Sequence, residues 1–308
     1  MLKRVQSLAL LFWWLLGIPL SARAQTANTA TLEPPNTVNF PEITTSLKPF
    51  DDQRGFLHNL RLEEITIVEN NRPLAITALV ERHPGIQFVV AMSLERAFAI
   101  RDSNGISRYD QIVGAFTDWA NDQPKDANDD LSLVTADGFE AAHLENAQDW
   151  LDNLNDYDTD PRTAEPSLDV LARAIDIAAD PSPRPGMGRS VLFLTPSIPR
   201  ESIGALDSLI SRAQQENVSV NVWLVGSPAY FTTESAAKLA SMAEQTGGEF
   251  FTYSGTEILP DIDTYIEPLR HIYDLAYQSK IISPGPHQLA AKIDTGALEI
   301  TRDRKSVV

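Results

Sequence analysis

The sequence predicts an α/β protein: a central, mainly parallel sheet with helices on both faces, bordered by small β segments. Three observations carry this. Continuous apolar runs of strand length recur through the middle of the chain, as strands buried on both faces require. Segments with helical periodicity alternate with them, and such alternation favours parallel pairing. On either side of this region the texture changes to short alternating runs separated by turn residues.

The elements follow in chain order. Residues 25–40 (QTANTATLEPPNTVNF) are rich in Thr, Asn and Pro and read as a linker. Over 41–84 the runs EITTSLKPF, LEEITIVENN and PLAITALVERH are each of strand length, giving an N-terminal β segment. The stretch IQFVVAM (86–92) reads as the first fully buried strand, and SRYDQIVGAFTDWAND (107–122) puts Tyr109, Ile112, Val113, Phe116 and Trp119 on one helical stripe. Further strands are expected at LSLVTA, RSVLFLT, VSVNVWLVG and GEFFTY, with helices at NAQDWLDNL, PSLDVLARAIDIAA, 200–216 and 232–246. The α/β domain is thereby placed at 85–270. The β texture of 271–302 reads as the start of a C-terminal β-sandwich module.

Composition narrows function. The 308 residues carry 25 Lys and Arg against 42 Asp and Glu, a formal charge of −17, which excludes the clustered basic surface that nucleic acids need. Cysteine is absent, removing disulfides, thiol nucleophiles and Cys-built metal sites. The five histidines (His58, His83, His143, His271, His287) show neither H-x3-H nor HExxH spacing. No metal ligand and no cofactor is therefore expected. Between Asp118 and Asp180, 17 acidic residues face only Lys125, Arg162 and Arg173. Asp156, Asp158 and Asp160 imitate half of a calcium loop, but Pro161 stands where Gly is needed and Ser167 where Glu is needed, so the segment reads as a solvated acidic face.

Residues 1–24 form a signal peptide: Lys3 and Arg4, an apolar run from Leu8 to Leu20, then Ala22-Arg23-Ala24. This predicts export to the periplasm, the cell surface or the extracellular space. A membrane association would come only from an uncleaved signal or a downstream anchor. The last six residues, DRKSVV (303–308), resemble the translation of a sequencing adapter, which implies a reading frame that continues further. Ser235 and Lys238 match S-x-x-K, but neither K-T-G nor S-D-N accompanies them, and no G-x-S-x-G elbow occurs. No catalytic residue is assigned.

The order of FVVAM, DDLSLVTA, the PSLDVL helix, RSVLFLT, VNVWLVG, AEQTGGEFF and YDLAYQS with Gly-Pro-His resembles the von Willebrand factor type A family, in its bacterial exported form followed by an immunoglobulin-like strand module. The resemblance implies a Rossmann-like fold and a site for Mg²⁺ at the carboxyl edge of the sheet, made by D-x-S-x-S, a Thr and an Asp. Here that site is degenerate. The D-x-S-x-S slots hold Ala91, Ser93 and Glu95, or Met92, Leu94 and Arg96, or Ser93, Glu95 and Ala97; Pro166 falls at the Thr slot and Pro196 at the Asp slot. The expected function is an exported, non-enzymatic adhesion protein that binds a protein partner through Ser93, Glu95, Arg96, Arg101, Pro196 and Ser197. The alternative is an α/β hydrolase-like or solute-binding protein with a pocket at the same edge.

Overall fold

The structure is a computed structural model that describes residues 27–124, 127–282, 285–294 and 302–307. The leader predicted over 1–24 lies outside them. In chain order the protein forms β1 (Ala27–Leu32), β2 (Glu42–Asp51), β3 (Ile65–Glu69) and β4 (Arg72–Arg82). There follow β5 (Ile86–Met92), α1 (Arg108–Asp122), β6 (Asp130–Thr135), β7 (Glu140–Leu144), α2 (Ala147–Asp156) and α3 (Asp169–Ala179). Next come β8 (Gly188–Thr195), α4 (Ala205–Gln215), β9 (Ser219–Val225), α5 (Glu234–Thr246), β10 (Phe250–Tyr253) and the short α6 (Asp263–Ile266). The chain closes with β11 (Ile272–Gln278), β12 (Pro286–Ile293) and β13 (Arg302–Val307).

The first sheet has the order β1-β2-β11-β4-β3-β12-β13, with every pair antiparallel. Its edge strands β1 and β13 approach each other, so it curls almost into a barrel. Side chains alternate as an antiparallel sheet with one solvated face requires: Ile65 and Ile67 are buried, Thr66 and Val68 less so. β3 and β4 join through Asn70 and Asn71, both at positive φ (49° and 64°), which is the backbone a two-residue hairpin turn demands.

The second sheet has the order β10-β9-β8-β5-β6-β7. β7 pairs antiparallel with β6 and the other pairs are parallel, so the sheet is mixed. β5 is buried along its whole length. Phe88, Val90 and Met92 share one apolar cluster with Phe116 and Trp119 of α1 and Trp150 of α2, while Val89 and Ala91 join residues of α3, α4 and α5. Trp119, Trp150 and Trp223 are core residues, Trp119 as its helical stripe predicted. Each indole N–H is satisfied, Trp150 by Ser132 O (3.1 Å) and Trp223 by the Tyr265 hydroxyl (3.0 Å).

The fold class expected from the sequence is overturned. The chain is not a von Willebrand A-like central parallel sheet with small β borders. It is mostly β: among the described residues thirteen strands accompany six α-helices, one sheet is antiparallel and nearly barrel-shaped, and the other is mixed. Two physical causes explain the error. The flanking β segments are not separate modules, because β11 inserts between β2 and β4 and β12 pairs with β3, a pairing across the whole chain that no local pattern reveals. The other cause is Glu-Ala-Ala-His-Leu, which lacks strand character yet forms β7. The stretch read as a linker likewise contains β1, held by β2.

Two short crossings connect the sheets: His83-Pro84-Gly85 between β4 and β5, and Glu267–His271 between α6 and β11. Arg270 lies buried beside the first residues of β6. Its guanidinium donates to both Asp129 carboxylate oxygens, to Gln123 Oε1 (2.8 Å) and to Glu267 Oε2 (2.9 Å). Gly85, at φ +90°, lies so close to Asn128 that a Cβ there would sit 1.8 Å from its carbonyl oxygen.

Candidate functional site

The residues predicted for the partner-binding edge fall on loops at the carboxyl ends of β5 and β8, and they separate into two kinds. Ser93 is buried and structural: its N–H donates to Leu194 O (2.9 Å) and its hydroxyl accepts the Ser167 N–H (3.0 Å), tying the approach to α3 against the strand ends. Pro196 is buried as well, and its carbonyl accepts the Thr195 hydroxyl (3.1 Å). Neither is available to a partner. Glu95, Arg96, Arg101 and Ser197 stay at least partly exposed. Burial pushes the Glu95 carboxyl above its usual range. Arg101 hydrogen-bonds the Gly105 carbonyl across its own loop.

Sequence reasoning missed the apolar part of this edge. Ile100 (49% exposed), Ile106 (45%), Tyr230 (51%) and Ile258 (93%) all stand on loops that leave the carboxyl ends of β5, β9 and β10. The loop after β5 is joined to the loop after β10 by Arg108, whose guanidinium donates to Ala97 O (3.0 Å) and Ser254 O (2.7 Å). The first turn of α1 fixes that arginine: Ser107 caps the Asp110 N–H and Asp110 returns a bond to the Ser107 N–H, both at 3.0 Å. The available signal was weak. Ile100 and Ile106 bracket Arg-Asp-Ser-Asn-Gly, an apolar pair on a turn with no strand or helix to bury it.

The S-x-x-K pair is dispersed by the fold. The Ser235 hydroxyl accepts the Ile198 N–H (3.0 Å), and Lys238 pairs with Asp207 of α4. Of the calcium-like run, Asp160 is bound by Arg162, which holds its carboxyl below the usual range.

A second constellation lies at the crossings between the sheets. His58, on the loop after β2, places Nδ1 2.6 Å from Glu81 Oε1, and His271 Nδ1 is 3.7 Å from the same oxygen. His271 Nε2 meets Glu267 Oε1 at 2.9 Å. The His83 ring stacks on His271 at 4.6 Å, and Phe56 contacts the rings of His58 and His271 at 5.0 and 5.2 Å. The register explains the meeting: Tyr273 is opposite Glu81 and Ile272 opposite Arg82, so His271 falls opposite His83. Hydrogen bonding from His271 and then Arg270, against the cost of burial, brings the Glu267 carboxyl down to about 2. Burial, followed by the positive neighbours His271 and Arg270, keeps His83 below its ordinary value. Three of the five histidines thus converge with two carboxylates.

No family model matches the chain, and no curated protein matches it. The resemblance to the von Willebrand A family therefore has no support beyond the residues quoted for it.

Proposed function

We propose that this is an exported, non-enzymatic protein that binds a protein partner through the carboxyl edge of its second sheet. The observation that supports the reading is that Ile100, Ile106, Tyr230 and Ile258 are all exposed on loops that leave the carboxyl ends of strands of that sheet. Exposed apolar side chains gathered on one face, rimmed by charge, are what protein interfaces bury. Glu95, Arg96 and Arg101 supply the rim. Burial stabilises a complex by roughly 25 cal/mol per Å² of apolar surface, before the costs of association.

Outward exposure favours this over a hydrolase-like or solute-binding pocket, whose apolar lining would be covered by its own walls. Ile258 is 93% exposed. The test is affinity capture from the surface fraction of the native source, comparing the wild type, an Ile106→Asp/Ile258→Asp double variant and Val80→Asp on the first sheet as control. The expected result is one partner held by the wild type and by Val80→Asp and lost by the double variant. Equal capture by all three would refute the edge as the binding face.

A further inference from the structure

We infer that the junction between the two sheets is a binding site for a zinc-class divalent cation, with His58, Glu81 and His271 as its ligands. The donor atoms of these three side chains all lie within 4.8 Å of one another. A tetrahedral Zn²⁺ with bonds of about 2.0–2.1 Å spaces its ligand atoms roughly 3.3 Å apart. The observed 2.6 and 3.7 Å separations from Glu81 Oε1 bracket that spacing, so side-chain adjustment suffices. Two imidazoles and a carboxylate, with a fourth position open, form a nitrogen and oxygen set that suits Zn²⁺ better than Mg²⁺ or Ca²⁺.

The outer partners point the same way. A metal-bound histidine uses its other nitrogen to donate to a carboxylate, which fixes tautomer and ring orientation. His271 does this: with Nδ1 toward Glu81, Nε2 lies 2.9 Å from Glu267 Oε1, and the second Glu267 oxygen is held by Arg270 at 2.9 Å. Glu81 Oε2 accepts from the Tyr273 hydroxyl (2.8 Å) and the Asn59 N–H (3.3 Å), leaving Oε1 to the histidines. His83 stacks on the His271 ring and Phe56 borders it, so the ring is clamped. A neutral His58 that ligates through Nδ1 carries its ring proton on Nε2, so the metal takes the place of the hydrogen bond between Nδ1 and Glu81 Oε1.

The position gives the ion a task. His58 lies on the loop after β2 and Glu81 on β4, whereas His271 ends the chain's return from the second sheet. A cation bound by all three would fasten that return crossing to β4. It would couple the two sheets in a chain that has no cysteine to do so covalently.

The test uses the full chain without an affinity tag, and Zn²⁺ and Co²⁺ as probes. Calorimetry is expected to show one Zn²⁺ per chain, and Co²⁺ to develop the visible absorption of a four-coordinate site. His58→Ala and Glu81→Gln, whose circular dichroism should match the wild type, are expected to weaken Zn²⁺ at least tenfold; His271→Ala should abolish binding, and Glu267→Gln should weaken it tenfold or more. His143→Ala is expected to change nothing. Should His271→Ala fail to fold, His58→Ala and Glu81→Gln decide the matter. Absence of Zn²⁺ binding at millimolar concentration, or binding unchanged in both of those variants, would overturn the assignment.

Discussion

At the amino end of the second sheet Arg270 is buried among Asp129, Gln123, Asp263 and Glu267, whereas at its carboxyl end Ile100, Ile106, Tyr230 and Ile258 stand in solvent. The amino end meets the first sheet. Arg270 and Asp129 are desolvated together there, an arrangement costly to disturb because loss of either partner leaves an uncompensated buried ion. At the carboxyl end Ile100, Ile106, Tyr230 and Ile258 gain nothing by their exposure unless a second surface covers them. One end of the same sheet is therefore built to hold the molecule together, and the other is the end to which the proposed function assigns binding.

If that contrast is right, the amino end carries the large effects on stability. Asp129→Ala strips Arg270 of its main partner and is expected to cost about 3 kcal/mol or more in urea unfolding; a change below about 1 kcal/mol would show that the junction does not fix the fold. Gly85→Ala adds a Cβ 1.8 Å from the Asn128 carbonyl oxygen at φ +90° and should destabilise by about 2 kcal/mol, read from the same transition.

A smaller effect is expected at His143, which is partly exposed between Asp130 and Asp180, with Glu140 nearby. Burial acts to lower its pKa, but hydrogen bonding and charge from Asp130 and then Asp180 outweigh it, and the net shift is upward. The associated stability is complete below the ordinary histidine value of about 6.5 and disappears as pH rises through the higher folded value. Relative to His143→Gln, the wild type should gain about 0.5 kcal/mol at pH 5.5 over pH 9, discounted for exposure. A gain in the opposite sense would contradict the assigned partners. Smallest of all, Ile106→Asp and Ile258→Asp should leave unfolding within about 0.5 kcal/mol of wild type. A loss above 1 kcal/mol would mean these residues serve the fold rather than a partner.

Much of the second sheet was legible from pattern alone. IQFVVAM becomes β5 over the predicted residues, and the stripe from Tyr109 to Trp119 becomes the buried face of α1. The first sheet was legible only in pieces, since its strands were recognised while their union in one curled sheet was not. The candidate edge was half legible. Glu95 and Arg101 lie where expected, but Ser93 and Pro196 are consumed by the scaffold, and Ile258 carried no sign of its exposure. The histidine cluster was illegible, because His58, Glu81 and His271 come from three separate parts of the chain and no spacing rule joins them.

By itself, then, the sequence determined the local facts: which stretches extend or coil, which face of each turns inward, where the chain is acidic, and that sulfur chemistry is absent. These follow from side-chain periodicity and composition, which act within a few residues. Only the tertiary structure decided that β11 inserts between β2 and β4, that His271 therefore lands beside His83 and Glu81, and that four apolar loop residues stay exposed at the carboxyl end of the second sheet. Such outcomes depend on pairings between distant segments, and their free energy is set by the assembled core rather than by any segment read alone.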